Sequence, residues 1–329
     1  MAPNDSDTST RRRLGLTTAT LVVVASMVGT GVFTTTGFLV RDIPSAPAVL
    51  LTWLIGGLLA LSGALAYAEL VAAMPRNGGE YQLLARIYHP AVGFVAGWIS
   101  LVVGFSAPIA ASALGFGRYL GAVVDGVDPV VSALVLVVVF SVAHGIHVTL
   151  GSGVQNLFAF AKVALIAGLV IAGLWFGEPG RVFSAGSGSL ADAVMSPAFA
   201  VALILVSFSY SGWNGAAYIA GEVRDPERTL PQALLLGTAV VTLLYLGLNL
   251  VFLASAPVAE LSGVVEVGHV ASVRLFGERA ATFLSAGIAL LLVSSVSAMI
   301  MSGPRVYQAM GEDYPRLAVL GRRTRHGAP

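Results

Sequence analysis

The sequence predicts an all-α integral membrane protein with about eight spanning helices, and three observations carry that prediction. The chain is 56% hydrophobic and only 11% charged, where a soluble domain carries about 25% charged residues. Its apolar residues fall in runs of bilayer length, since a transmembrane helix needs roughly 20 mostly apolar residues. Two of those runs are interrupted at mid-depth by glycine and hydroxyl residues, a pattern that a simple lipid-solvated helix does not need.

Eight segments follow in order: Leu14–Val40, Ala48–Met74, Ala91–Leu120, Val130–His147, Ser152–Phe176, Pro197–Ala220, Ala233–Ala256 and Arg279–Ser302. Residues 1–13 are expected to be a disordered cytoplasmic N-terminus that leads through Arg11, Arg12 and Arg13 into the first segment. A signal peptide would have a short apolar core and a small-residue cleavage site; this segment runs for a full crossing and is expected to be retained. Orientation follows from arginine placement. With the N-terminus inside, twelve arginines fall on the cytoplasmic side and five (Arg41, Arg118, Arg181, Arg274 and Arg279) on the other. The expectation is therefore a multi-pass protein of the cytoplasmic membrane with its N-terminus in the cytoplasm.

Composition also excludes. The chain has no cysteine, which removes disulfides, thiolate metal sites and cysteine nucleophiles. A net charge of +1 offers no basic surface for nucleic acid. No glycine-rich phosphate loop, zinc-protease motif or nucleophile elbow is present, so neither an enzyme nor a cofactor is expected. His144 and His147 lie three residues apart, but without a third ligand they suit a helix end better than a metal.

The first interruption is Met27-Val28-Gly29-Thr30-Gly31-Val32, and the second runs from Phe208 through Ser209, Ser211, Trp213 and Asn214 to Gly215. Unwound backbone inside a bilayer is tolerated only where it lines a cavity or is buried in protein. Either cluster alone would also serve close helix packing. Their matched placement in segments one and six points to a site at the membrane midplane. Amides near Gly29, Thr30 and Gly31 could hold a carboxylate at a half-helix N-terminus, and carbonyls near Phe208, Ser209 and Ser211 could accept from an ammonium. Together they suit an α-amino acid zwitterion, with Phe208 and Trp213 available to cover it and Asn214 an amide in need of partners. Lys162 is the only lysine and lies about ten residues into the fifth segment. An ionisable residue at that depth is a functional candidate: it could exchange protons, or it could be a structural lysine tied to carbonyls. Ser294, Ser295 and Ser297 on the eighth segment could supply hydroxyl partners.

Four stretches in order resemble the amino acid–polyamine–organocation superfamily of permeases, particularly its L-type branch. They are Gly29-Thr30-Gly31-Val32-Phe33; Tyr67-Ala68-Glu69-Leu70 with Pro75-Arg76-Asn77-Gly78-Gly79-Glu80-Tyr81; Phe208-Ser209-Tyr210-Ser211-Gly212-Trp213-Asn214; and Gly221 to Pro231. The resemblance implies a LeuT-type inverted-repeat transporter fold with helices one and six discontinuous. It implies a first five-helix repeat over 14–176, a partial second repeat over 177–304 and a tail or loop over 305–329 before helices that this chain lacks. It further implies secondary active transport of amino acids by proton-coupled symport or exchange. The helix-one break would hold the substrate carboxylate, the helix-six break its amine, and Lys162 the place that sodium takes in related machines. Glu69, Glu80 and Glu222 would act as structural or gating residues. Neutral substrates are favoured, because segment three and the helix-six break carry no carboxylate for a cationic side chain. The partners expected are thus an amino acid, protons and lipid; the alternative is a non-transporting amino-acid sensor or partner subunit.

Overall fold

A computed structural model describes residues 14–146, 152–183 and 190–322. Arg11–Arg13, His147, Arg323, Arg325 and the ends of the expected terminal segments lie outside the described residues. Those described form helices joined by short turns, with a single isolated backbone bridge between Leu14 and Val223. Among the described residues, six helical stretches are long and apolar enough to cross a membrane: Leu16–Asp42, Ala46–Ala73, Pro90–Gly121, Asn156–Phe176, Pro226–Ser255 and Glu278–Asp313. Pro129–Ile146 (α6) is shorter, and the expected sixth segment is divided. Its first part, Pro197–Ser209 (α8), passes through a turn into a 3-10 helix at Gly215–Glu222.

The first segment is also two helices, Leu16–Met27 (α1) and Gly31–Asp42 (α2), separated by Val28, Gly29 and Thr30. Ala46–Ala73 (α3) follows. The chain then forms a helix that hydropathy does not reveal, Glu80–Ile87 (α4), which is short and amphipathic. Its Tyr81 and Gln82 donate to Asp313 Oδ2 at 2.6 and 2.9 Å, fixing it beneath the end of Glu278–Asp313 (α11). The third segment, Pro90–Gly121 (α5), contains a π-helical stretch at Ser100–Phe105, a distortion common at functional sites. Ser152–Phe176 (α7), Pro226–Ser255 (α9) and the loop helix Val267–Phe276 (α10) complete the frame.

The core is centred on α9, which packs along α1 and α3 and closes over both interruptions. Trp53, Tyr210 and Tyr245 are fully buried there, with Trp53 meeting Tyr210 and Tyr245 edge-on at 5.8 and 5.6 Å. Large apolar side chains on α5, α6 and α7, such as Val102, Val139 and Phe160, face outward. In water such a surface would aggregate; in a bilayer it is the lipid contact. The two ends of the bundle are tied separately. At one end Leu14 hydrogen-bonds Glu222 and Arg224 through the backbone, and Arg305 pairs with Glu222 at 3.0 Å. At the other, the Gly263 amide donates to the Gly37 carbonyl at 2.7 Å.

Candidate functional site

The two interruptions face one another. Gly31 opens α2 directly against Ser209, the last residue of α8; a Cβ added at Gly31 would lie 2.6 Å from Ser209 Oγ and 2.8 Å from its Cα. Gly212, with φ +96°, turns the second break back on the end of α1, where a Cβ would lie 2.5 Å from the Ser26 carbonyl. Positive φ and this approach together require glycine. Ser209 Oγ then bonds Thr35 Oγ1 at 2.9 Å, joining α8 to α2.

Between the breaks lies a narrow recess lined by Met27, Gly29, Thr30, Gly31, Phe208, Ser209 and Ser211, with Pro108, Ser112 and Met299 opposite. Its free space is about 30 Å³, the room that about one water occupies. Among the described residues, the N–H groups of Gly29, Thr30 and Gly31 donate to no backbone carbonyl, and no backbone N–H donates to the carbonyls of Ser209 and Ser211. The break thus offers donors on one side and acceptors on the other. The Phe208 carbonyl, by contrast, already accepts from the Ser211 amide at 3.0 Å.

Behind the helix-one break lies Lys162, completely buried. Its Nζ donates to the carbonyls of Val28 and Ala25 at 3.2 and 3.4 Å and to Ser295 Oγ at 2.7 Å. Ser295 passes a hydrogen bond on to the Val28 carbonyl at 2.7 Å. Three acceptors around one amine match its donor capacity. Ser294 stands differently: its hydroxyl is buried and makes no hydrogen bond among the described residues. Ser297 bonds His144 Nε2 at 2.9 Å and takes no part.

Sequence reasoning missed two other contributions. Tyr245 on α9 donates to the Met27 carbonyl at 2.7 Å, and one turn further Asn249 accepts from Thr36 of α2. One helix therefore holds both halves of the broken one. A tyrosine in an apolar run gives no sign of this, because aromatics in such helices commonly only pack. The second contribution is Glu80. Named above as a structural or gating residue, it is the first residue of α4 and stands in the wall of a larger cavity of about 320 Å³ that adjoins the recess through Ser26, Pro108, Ser211 and Met299. Asn214 and Tyr218 donate to its two oxygens, and the Tyr67 hydroxyl lies 3.5 Å from Oε1. Asn214 thus finds its partner in Glu80. Trp213 lines the same larger cavity rather than the recess, with its ring edge-on to Tyr67 at 4.9 Å.

A polytopic α-helical membrane protein, whose two broken helices meet around an internal recess backed by a buried amine, has the construction of a small-solute carrier. Residues 14–329 match the family model described as amino acid permease, and the chain belongs to that family. It is 30% identical to the serine/threonine exchanger SteT of Bacillus subtilis (strain 168) over 310 residues, covering 93% of this chain and 69% of that protein. It is 30% identical to the b(0,+)-type amino acid transporter 1 of Mus musculus over 260 residues, covering 77% of this chain and 53% of that protein. Identity with the large neutral amino acids transporter small subunit 2 of Oryctolagus cuniculus is 26% over 311 residues, 91% of this chain and 57% of that one. The chain thus spans a little over half the length of the latter two. These relatives are transporters, not enzymes.

Proposed function

We propose that this protein carries amino acids across the membrane by alternating access, in proton-coupled symport or exchange. The observation that carries the reading is the recess between the breaks, where the amides of Gly29, Thr30 and Gly31 donate to no backbone carbonyl and the carbonyls of Ser209 and Ser211 accept from no backbone amide among the described residues. A substrate carboxylate suits the amides and the positive end of α2, and its ammonium suits the carbonyls. Phe208 closes the recess from the side. No charged side chain lines this recess, which favours the part common to neutral amino acids. A relative named as an exchanger supports exchange, and the lone buried Lys162, bound to the end of α1, supports a proton step. In this reading Lys162 takes up and releases its proton as α1 moves, with Ser295 and the nearby Ser294 as its hydroxyl partners. The two halves follow an inverted-repeat plan of 14–176 and 177–304, and the arginines at the Leu14 end support a cytoplasmic N-terminus in the cytoplasmic membrane.

The test is uptake of labelled neutral amino acids into vesicles holding the protein, with and without an inward proton gradient, for wild type and Lys162→Ala. Gradient-driven uptake that disappears in the variant is expected. Uptake that needs amino acid on the opposite side and ignores the gradient would replace symport by exchange. Saturable binding without uptake would sink the transport reading and leave a sensor or subunit.

A further inference from the structure

We infer that Glu80 gives the larger cavity a subsite for the ammonium group at the end of a substrate side chain, extending the substrates to cationic amino acids. This rests on the amino-acid reading of the recess. Four observations lead to it. The recess alone holds about 30 Å³, so a bound amino acid must extend into the adjoining cavity of about 320 Å³. The two spaces adjoin at Ser26, one helical turn before Gly29, and at Ser211, and Asn214 and Gly215 line the larger one beyond. Asn214 in turn bonds Glu80.

Third, Glu80 is the one charged residue lining either cavity, and no cation lies within 4 Å of its carboxylate among the described residues. Its oxygens are steered by neutral donors, Tyr218 and Asn214, with the Tyr67 hydroxyl at 3.5 Å. A half-buried carboxylate left without a counter-ion is costly unless a cation visits it. Fourth, Phe105, Trp213 and Tyr218 line the same cavity. Aromatic faces beside a carboxylate are the surroundings that recognise organic ammonium groups. Segment three and the helix-six break do lack an acidic residue; the carboxylate comes instead from the first residue of α4, the short helix that directly precedes α5.

Equilibrium binding of labelled lysine and of norleucine, its uncharged counterpart of the same chain length, to the purified protein in lipid nanodiscs decides the matter. Lysine is expected to bind about tenfold more tightly than norleucine, the size of one charge-assisted hydrogen bond. In Glu80→Gln the ratio should fall to about one; because both ligands are read on the same variant, a general weakening of the site cancels. A series that needs no variant runs alongside: ornithine and 2,3-diaminopropionate, with shorter chains, should lose the advantage stepwise in the wild-type protein. Norleucine binding as tightly as lysine to wild type, or an unchanged ratio in Glu80→Gln, overturns the subsite while leaving the recess intact. Binding of neither ligand removes the subsite and the amino-acid reading together.

Discussion

Replacing Tyr245 by phenylalanine removes one oxygen from a fully buried side chain and nothing else. The ring keeps its edge contact with Trp53 at 5.6 Å and its neighbour Tyr210 at 5.0 Å. What is lost is the 2.7 Å bond to the Met27 carbonyl, together with the oxygen that meets the Gly29 amide. That carbonyl sits at the end of α1, where the helix stops before a residue four positions on could reach it, so no intrahelical donor takes over. Leaving a buried acceptor without a partner costs about 1–3 kcal/mol. Spent on stability, this lowers Tm by roughly 2–6 °C, taking the small shift per kcal/mol of a large chain. Spent on the shape of the recess, it weakens amino-acid binding by about tenfold for each 1.4 kcal/mol. Tyr210→Phe is the matched control. Its hydroxyl donates to the Trp53 carbonyl at 3.0 Å, which lies inside α3 and already serves the helix ladder, so its loss should cost well under half as much. Thermal unfolding and amino-acid binding, measured on both variants in the same lipid, give the comparison. Equal losses in the two, or a Tyr245→Phe protein indistinguishable from wild type, would refute the account of α9 as the brace of the broken helix.

Other outcomes follow from the same geometry. Lys162→Met keeps the volume but orphans the Ala25 carbonyl; gradient-driven uptake should vanish while binding of neutral amino acids persists, as measured in vesicles and nanodiscs respectively. Gly31→Ala forces a methyl to within 2.6 Å of Ser209 Oγ and 2.8 Å of its backbone Cα, so α2 and α8 must part. Amino-acid affinity should drop by about tenfold or more, read by equilibrium binding. Glu222→Gln breaks a half-buried pair whose side chains are 34% and 15% exposed. A loss of about 1 kcal/mol is expected, smaller in high salt, and thermal unfolding at two ionic strengths checks it.

The parts of this fold that could be read from sequence are those where a residue type contradicts its surroundings. Gly29 and Gly31 stand in a run of apolar residues, Ser211 to Gly215 in another, and Lys162 alone in a third; each position carries a chemical cost in such surroundings, and both breaks and Lys162 come together in the structure. What could not be read depends on where a turn sends the chain. Glu80 follows the glycine pair Gly78-Gly79, whose φ angles of +117° and +52° redirect the backbone so that α4 lies under the bundle. Nothing in hydropathy reports that direction. The π-helical stretch of α5 and the 3-10 helix after Asn214 are equally silent, because their residues are as apolar as those of an ordinary helix. Trp213, expected over the substrate, lines the larger cavity rather than the recess and packs on Tyr67 and against Gly63, because the turn at Gly212 carries it past the recess.

The manner in which α1 is held has a consequence for water. Its last turn is gripped by Tyr245 on Met27, by Lys162 on Ala25 and Val28, and by Ser295 on Val28. All four contacts run from a side-chain donor to a backbone oxygen, and none is an interlocked apolar contact. Water can replace a donor of this kind with little enthalpic loss, whereas it cannot replace a buried methyl group. A dry interior therefore keeps these four bonds, and a few water molecules arriving behind Val28 would loosen them together, while the apolar packing of Val23, Val24 and Met27 remains. Thr36, bonded to Asn249 on the far side of the break, keeps α2 in place meanwhile. Hydration of one small volume would then decide how firmly the end of the first half-helix is held in the wall.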